Sequence, residues 1–238
     1  MERKKLGKKR IMEQNKIYQG DAQLILQDFQ EKTFDCVITD PPFNIGLDKL
    51  GSAGFRKKKR PKNYYDEPLL HCLWIPEIYR GLKENTHFYC FSGYDEIVNI
   101  ITESQKAGFK LEGILVWNKL WPAFLVGNYG FKYAPQSELC CFFSKGKRKL
   151  NQPNIADVLT SARVKNIDFP CPKPIDLIET LIIQSTNEGE LVLDCFLGSG
   201  TTALACQRLK RNWIGIELSK ENIKLTEERL KGETRNLF

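Results

Sequence analysis

The segment 191–202 constrains the fold of this chain more than any other feature. It reads Leu-Val-Leu-Asp-Cys-Phe-Leu-Gly-Ser-Gly-Thr-Thr, so a run of apolar residues leads directly into a glycine-rich turn. The apolar run predicts a buried strand, and Thr201 or Thr202 can begin a helix over 203–209. Because glycine has no Cβ atom, a ligand can approach this turn closely, and free amides at a helix start favour polar or anionic groups. The segment therefore predicts a strand, a ligand-binding loop and a helix.

A second strand is predicted at 213–217, where Trp-Ile-Gly-Ile ends on Glu217. A carboxylate in that position can accept hydrogen bonds from both hydroxyls of a ribose. The two strands together indicate a nucleoside-containing cofactor. The loop differs from the usual dinucleotide and phosphate-binding fingerprints, because it lacks a third glycine at the expected spacing and a following lysine. Taken alone, the segment is also compatible with a strand, turn and helix that bind no ligand.

A strand predicted at 34–39 ends abruptly at Asp40-Pro41-Pro42-Phe43. Two consecutive prolines cannot donate hydrogen bonds to a sheet, and each restricts the residue before it, so the chain must leave the sheet there. Asp40 is therefore expected at the carboxyl end of a strand.

The remaining pattern alternates strands with helices. Further strands are predicted at 16–19, 87–92, 109–117 and 139–144, and helices at 22–29, 69–82 with an interruption at Pro76, 94–107, 174–185 and 219–230. This alternation predicts an α/β fold whose mostly parallel sheet is covered on both faces. Ligands of such sheets bind beyond the carboxyl ends of the strands, which is the edge expected to carry Asp21, Asp40, the glycine loop and Glu217.

Length and composition favour one domain of ordinary globular type. The chain has 238 residues, of which 42% are hydrophobic, enough to bury a sizeable core. No apolar run approaches the roughly 20 residues of a membrane span, and the N-terminus is too basic for a signal peptide. We therefore expect a cytoplasmic protein with no membrane partner.

The cysteines and histidines do not form a metal-binding pattern. The eight cysteines include no C-x-x-C pair, and there are 2 histidines, so reduced core thiols are expected and no metal site. The formal charge of +7 is concentrated in two clusters, at 3–10 and 56–62. Such clusters indicate a polyanion such as nucleic acid, with a solvated basic surface as the alternative.

The Asp-Pro-Pro-Phe turn and the Phe-x-Gly-Ser-Gly-Thr-Thr loop together closely resemble the DNA amino-methyltransferases that use S-adenosylmethionine. The Asp-Pro-Pro-Phe turn precedes the loop, which is the circularly permuted motif order of the β group of that family. The resemblance extends over about 16–230. It implies a doubly wound, Rossmann-like methyltransferase domain at 16–238 after a basic arm at 1–15, with target-recognition insertions at about 44–66 and 120–170.

The resemblance also assigns the catalytic residues, namely Asp40, Pro41, Pro42 and Phe43. An exocyclic amine on a base is a poor nucleophile, because its lone pair is delocalised into the ring. If the Asp40 carboxylate and the Pro41 carbonyl each accept one amine hydrogen, the lone pair can turn towards the methyl group of the cofactor. The base should be flipped out of the duplex, and Phe43 is placed to stack on it.

The cofactor-binding residues implied by the resemblance follow the same edge. The methionine part is expected at Phe196, Gly198, Gly200 and Thr201, the ribose at Glu217 and the adenine at Asp21 and Ala22. Lys173, before Pro174, is expected to meet the cofactor carboxylate, with a surface lysine before a helix-opening proline as the alternative. The rest of the predicted set is Asp40, Asp194, Cys195, Ser199 and Thr202. Phe169-Pro170-Cys171-Pro172 departs from the His-Pro-Thr-Gln of many relatives, and Phe43 replaces the commoner tyrosine.

The function implied is methylation of the adenine exocyclic amine in duplex DNA, as in restriction-modification systems. Methylation of cytosine or of an RNA base, and a catalytically inert nucleic-acid binder on the same scaffold, are the alternatives; the missing third glycine disfavours a nucleotide-dependent oxidoreductase. Homodimers and companion restriction endonucleases occur in the family, and the sequence leaves both open. Contacts with DNA phosphates are expected from Arg56, Lys57, Lys58, Lys59, Arg60 and Lys62.

Overall fold

The computed structural model describes residues 12–42, 72–120, 133, 136–164, 169 and 172–236. The strands are β1 Lys16–Gln19, β2 Phe34–Thr39, β3 Leu82–Ser92, β4 Lys110–Asn118, β5 Ser137–Lys145, β6 Val158–Thr160, β7 Leu191–Asp194 and β8 Asn212–Glu217. The helices are α1 Ala22–Leu26, α2 Ile75–Gly81, α3 Ile97–Ala107, α4 Ile175–Ser185, α5 Thr201–Arg208 and α6 Lys220–Asn236.

The strands form an eight-stranded sheet in the order β1-β8-β7-β2-β3-β5-β4-β6. β5 is antiparallel to both of its neighbours, β3 and β4, while the other pairings are parallel. The expected α/β fold with a mostly parallel sheet is therefore confirmed. Because β5 runs against the rest, its first residues lie at the edge where the parallel strands end.

The sheet is covered on both faces by apolar side chains. On one face α1, α2 and α3 bury residues such as Leu26, Ile78 and Ile100 against β2 and β3. On the other face α4 and α5 bury Ile182 and Ala205, among others, against the same strands. All six residues of β2 are buried, as expected for a strand covered on both faces. Its two polar residues have partners, since Asp35 pairs with Lys83 and Thr39 bonds to Asp194.

Several boundaries differ from the sequence-based expectation for identifiable reasons. Pro76 was expected to interrupt a helix, but it lies in the first turn of α2. Backbone amides in the first turn have no partner within the helix, so a proline, which has no amide hydrogen, is tolerated there. α3 ends as predicted at Gly108, whose φ of 112° is left-handed. β6 was not expected, since its three residues are mostly exposed and carry no clear apolar alternation.

Among the described residues, no helix is long and apolar enough to cross a membrane. The expected insertion at 44–66, the basic residues of both clusters and most of the segment 121–135 lie outside the described residues.

Candidate active site

The carboxyl edge of the sheet brings the predicted site residues together. Asp21 follows β1, Asp40 follows β2, the glycine loop follows β7 and Glu217 ends β8. In the pairing of β1 with β8, Gln19 lies opposite Glu217, so Asp21 and Glu217 both lie at the carboxyl ends of these two neighbouring strands. The arrangement predicted from the strand pattern is thus present in the structure.

The glycine loop has a backbone shape that suits glycine. Gly198 and Gly200 have left-handed φ values of 55° and 78°. A Cβ atom on Gly200 would lie 2.3 Å from Thr226 Cγ2, and one on Gly198 would lie 2.9 Å from Phe169 Cζ. Contacts under 3.0 Å force a neighbouring atom to move. Glycine, which has no Cβ atom, is therefore required at both positions of the loop.

Asp194, the last residue of β7, holds the glycine loop through hydrogen bonds to its carboxylate. Its carboxylate accepts hydrogen bonds from Thr202 Oγ1 at 2.7 Å, Thr39 Oγ1 at 3.0 Å and the Phe196 amide at 3.1 Å. Burial raises the pKa of Asp194 to about 6, although these donors favour its charged form. The side chain therefore joins β2, β7 and α5, and shapes the loop that follows it.

The other loop residues are mostly buried. Cys195 Sγ lies 3.3 Å from Thr39 Oγ1, and Ser199 Oγ lies 3.3 Å from Thr201 Oγ1. Phe196 is partly buried and packs edge-on against Trp74, with ring centroids 5.3 Å apart. The predicted roles of these residues in cofactor binding stay predictions; the structure places all of them in the loop and the first turn of α5.

Glu217 is held in place by the loop and by the turn after β8. Its Oε2 accepts the Gly198 amide at 2.8 Å, and its Oε1 accepts the Ser219 amide at 2.8 Å and Asn222 Nδ2 at 3.2 Å. Burial raises the pKa of this carboxyl. Oε2 accepts one hydrogen bond only and keeps a further lone pair, so the oriented carboxylate can still accept a ribose hydroxyl there.

Asp21 and Ala22 form the neighbouring part of this surface. The Asp21 carboxylate caps α1 by accepting the Gln23 amide at 2.8 Å, and Ala22 is 3% exposed. The Gly20 amide donates to the Glu217 carbonyl at 3.0 Å, which ties the start of α1 to the end of β8.

Asp40 lies in a different electrostatic setting. Its Oδ2 accepts a short, charge-assisted hydrogen bond from Lys173 Nζ. Its Oδ1 is buried and has no hydrogen-bond partner among the described residues, although a third of the whole side chain is exposed. Burial raises the pKa of the Asp40 carboxyl, and the Lys173 charge works in the opposite direction. Pro41 is buried beside it, and Pro42 is half-buried.

Lys173 lies between two carboxylates, those of Asp40 and Glu138. Its Nζ is 3.1 Å from Glu138 Oε2 and 4.8 Å from the centre of the Phe91 ring, and the residue is 8% exposed. Burial alone would lower the pKa of Lys173, but the two carboxylates raise it above its ordinary value. The predicted contact of Lys173 with the cofactor carboxylate stays a prediction; in the structure its ammonium is next to the catalytic candidate.

Sequence reasoning missed two charged residues of this site, Glu138 and Lys119. Lys119 Nζ lies 2.5 Å from Glu138 Oε1, and burial of Glu138 is outweighed by the two lysines, which lower its pKa. The available signal was a glutamate directly before the apolar run 139–143. The glutamate points to the site only when β5 is known to be antiparallel. The start of β5, with Glu138, then lies at the edge where the parallel strands end.

Phe43 lies outside the described residues, as do Arg56, Lys57, Lys58, Lys59, Arg60 and Lys62.

The fold and the edge define a methyltransferase-like site, in which a glycine loop and an acidic strand end lie next to an Asp-Pro-Pro turn. Comparison with known proteins agrees with this class, because the family model described as DNA methylase, N6_N4_Mtase, matches residues 34–228. The chain therefore belongs to the N6/N4 DNA methylase family.

Individual relatives cover most of the chain. It is 30% identical to the Type II methyltransferase M.HpaI of Haemophilus parainfluenzae over 241 residues, which span 90% of this chain and 73% of that protein. The crystal structure of the M1.HpyAVI–SAM complex superposes with a TM-score of 0.69 at 29% identity, covering 90% of this chain and 99% of that one. The cytosine-N4-specific PvuII DNA methyltransferase shares the fold, with a TM-score of 0.69 at 20% identity over 91% of this chain and 90% of its own.

S-adenosylmethionine is the cofactor of this family site, as in the M1.HpyAVI complex. The residues present fit it. The two glycines allow the tight left-handed turn after β7, and the Glu217 carboxylate is oriented at the strand end where a ribose would need an acceptor.

Proposed function

We propose that this chain transfers a methyl group from S-adenosylmethionine to the exocyclic amine of adenine in duplex DNA. The observation that carries the proposal is Asp40 Oδ1, a buried acceptor without a hydrogen-bond partner among the described residues, next to the glycine loop of a methylase fold. A buried carboxylate oxygen is costly to leave unpaired, so an incoming donor gains a strong, charge-assisted hydrogen bond there.

The two acceptors of the turn match the two hydrogens of an amine. Asp40 Oδ1 would accept one hydrogen and the Pro41 carbonyl the other, which lets the nitrogen pyramidalise and direct its lone pair. Lys173 holds Asp40 Oδ2, so it favours the charged form of the carboxylate and limits its rotation. No base has to remove a proton before the transfer. As the N–CH3 bond forms, the S–CH3 bond would break and S-adenosylhomocysteine would leave, and the cationic nitrogen would then lose a proton to Asp40 or to water.

The bound cofactor supplies an electrophilic methyl group. The chain contributes orientation, which is worth about 7–11 kcal/mol of the barrier in ideal cases. Glu217 would hold the ribose, Asp21 and Ala22 would contact the adenine ring, and Phe196 with the Gly198–Gly200 turn would line the methionine part. A base inside a duplex cannot reach Asp40, so flipping of the target nucleotide belongs to the proposal, with Phe43 as its stacking partner.

Adenine is the proposed target because the Asp-Pro-Pro-Phe turn begins with Asp40. Relatives that begin this turn with Asp mostly act on adenine, whereas those that act on cytosine mostly begin it with Ser. The exocyclic amine of cytosine has the same two hydrogens, so cytosine N4 is the competing target.

The test is to incubate the protein with unmodified duplex DNA and methyl-labelled S-adenosylmethionine, digest the DNA to nucleosides and separate these by mass. Label in methyladenine is expected. Label in methylcytosine alone would overturn the assignment of the base, and label in neither nucleoside would overturn the proposed activity.

The proposed binding of duplex DNA can be tested separately, through the basic residues of the segment 56–62. Changing Arg56, Lys57, Lys58, Lys59, Arg60 and Lys62 to glutamine should weaken binding to every sequence alike. The slope of log affinity against log salt should fall by about 0.9 for each phosphate contact that is lost. An unchanged slope would assign these residues to an ordinary solvated surface.

A further inference from the structure

Four charged side chains from four different elements meet beside the catalytic turn. Asp40 follows β2, Lys119 follows β4, Glu138 is the second residue of β5 and Lys173 precedes α4. The side chains of Lys173, Lys119 and Glu138 are 9%, 11% and 23% exposed, so most of their surface is removed from water. Two positive and two negative charges balance one another in this set.

Glu138 joins the two lysines, using one oxygen for each. Its Oε1 accepts a hydrogen bond from Lys119 Nζ at 2.5 Å. Its Oε2 is 3.1 Å from Lys173 Nζ, an ion pair whose geometry is not that of a hydrogen bond. Lys119 is itself fixed against the Trp117 ring, at 5.0 Å from its centre, and Trp117 donates a hydrogen bond to the Ser161 carbonyl at 2.8 Å. Lys119 thus anchors one oxygen of the Glu138 carboxylate, and the other oxygen faces Lys173.

The position of Lys173 decides which oxygen of Asp40 is available. Its ammonium contacts Asp40 Oδ2 and leaves Oδ1 as the buried acceptor without a partner among the described residues. A lysine side chain is long and flexible, so a single contact would not keep its ammonium on one oxygen. Glu138 and the Phe91 ring supply the other contacts that restrict it.

We propose that Glu138 is a positioning residue for the methyl-transfer step: anchored by Lys119, it holds the Lys173 ammonium on Asp40 Oδ2 and so keeps Asp40 Oδ1 for the target amine. This inference rests on the proposed function of Asp40. It adds Glu138 and Lys119, which touch neither the cofactor nor the target, to the residues on which the rate depends.

The first test is the single-turnover rate of Glu138→Gln at saturating S-adenosylmethionine and duplex DNA. Small displacements of reacting groups can cost about 100-fold, so a loss of about 10- to 100-fold is expected. A rate within about twofold of wild type, far below such a displacement cost, would overturn the inference. Glu112→Gln is the matched control. Glu112 lies on β4 near the opposite end of the sheet, where it binds Lys110 at 2.8 Å and Ser144 at 2.6 Å, and it should keep the wild-type rate.

The pH profile separates positioning from a general structural or charge effect. The charged groups around Asp40 are Lys173, Glu138 and Lys119, with the titratable Asp194 further along the edge. Burial raises the pKa of the nearby Cys90 and Cys140 thiols, so these stay neutral. Glu138 raises the pKa of Asp40 through its charge, whereas the closer Lys173 lowers it. If Glu138→Gln releases Lys173, the acid limb of the rate moves to higher pH. An acid limb that stays, or moves to lower pH, would contradict positioning.

A second variant covers the case in which Glu138→Gln does not fold because one buried positive charge is left unbalanced. The double variant Lys119→Gln/Glu138→Gln removes one charge of each sign and leaves the Asp40–Lys173 pair neutral. It should show the same loss of rate, since the anchor is gone, and a wild-type rate would overturn the inference. Asp40→Ala in the same assay tests the proposed function separately. An active Asp40→Ala would overturn that function, whereas an inactive Asp40→Ala beside a fully active Glu138→Gln would overturn only the role of Glu138.

Discussion

Asp194 and Asp40 follow the same pattern in neighbouring strands, since each carboxylate lies at the carboxyl end, yet the structure holds them in different ways. Asp194 is surrounded by neutral donors from Thr39, Thr202 and the Phe196 amide. Asp40 has a lysine on one oxygen and no partner among the described residues on the other. The first arrangement fixes a backbone loop, and the second keeps an acceptor available.

The same contrast extends to the two halves of the site. In the half formed by β1, β7 and β8, Glu217 accepts three hydrogen bonds from its own turn and from Gly198, so the surface is shaped before any ligand arrives. In the half formed by β2, β4 and β5, balanced buried charges fix the position of one oxygen. Preorganised donors suit a cofactor that must bind in one pose, and oriented charge suits the step in which charge develops on the target nitrogen.

The largest expected effect comes from Asp40→Ala. Methyl transfer should fall about 1,000-fold or more, as for the loss of a preorganised group in other enzymes, while cofactor affinity from calorimetry changes little. Asp35→Ala is the control, because Asp35 lies at the opposite end of β2, where it pairs with Lys83 at 2.7 Å. It should lower stability and spare the rate. If Asp40→Ala kept near-normal turnover, the contrast between the two carboxylates would have no catalytic meaning.

A smaller effect is expected from Gly198→Val, now on cofactor affinity. The new Cβ would lie 2.9 Å from Phe169 Cζ at a φ of 55°, so the loop and its bond to Glu217 must shift. Calorimetry with S-adenosylmethionine should show affinity lower by about 10- to 100-fold, equivalent to about 1.4–2.8 kcal/mol. Gly189→Val has a similar φ of 81° and no neighbour within 4 Å, so it should bind normally. Equal affinity in both variants would mean that the loop shape does not matter for the cofactor.

The smallest expected effect concerns the pH dependence of stability in Asp194→Asn. The pKa of Asp194 is raised to about 6 in the folded protein by burial, so this carboxyl favours folding most when it is protonated, below its unfolded pKa. Its contribution is lost as the pH rises through about 6. Relative to the variant, the unfolding free energy of wild type should therefore fall by about 1–2 kcal/mol between pH of about 4.5 and 7.5. Urea titrations at both pH values measure it, and a constant difference would show that Asp194 does not titrate in this window.

The strand, glycine turn and helix start at 191–202 could be predicted from the sequence, because they consist of consecutive residues. The apolar run, two glycines and the helix-starting threonines of 191–202 specify one local shape, and the proline pair fixes the end of β2 at Asp40 in the same way. Local sequence was sufficient in both places.

The charge network could not be predicted, because it depends on how distant strands meet. Glu138 reaches the site only since β5 is antiparallel to β3 and β4, and 35 positions separate it from Lys173 while 98 separate it from Asp40. No local pattern specifies that direction. β6 was missed for a related reason, as its three residues gain their strand conformation from pairing with β4.

The most direct measurement of the central claim is a crystal structure of the protein with S-adenosylhomocysteine and a duplex that carries its methylation site. The account predicts a flipped base whose exocyclic nitrogen lies about 2.6–3.2 Å from Asp40 Oδ1 and from the Pro41 carbonyl oxygen. Lys173 should remain on the Asp40 Oδ2 side, with Glu138 and Lys119 behind it. An exocyclic nitrogen bound by other acceptors, with Asp40 Oδ1 turned away from the base, would contradict the account.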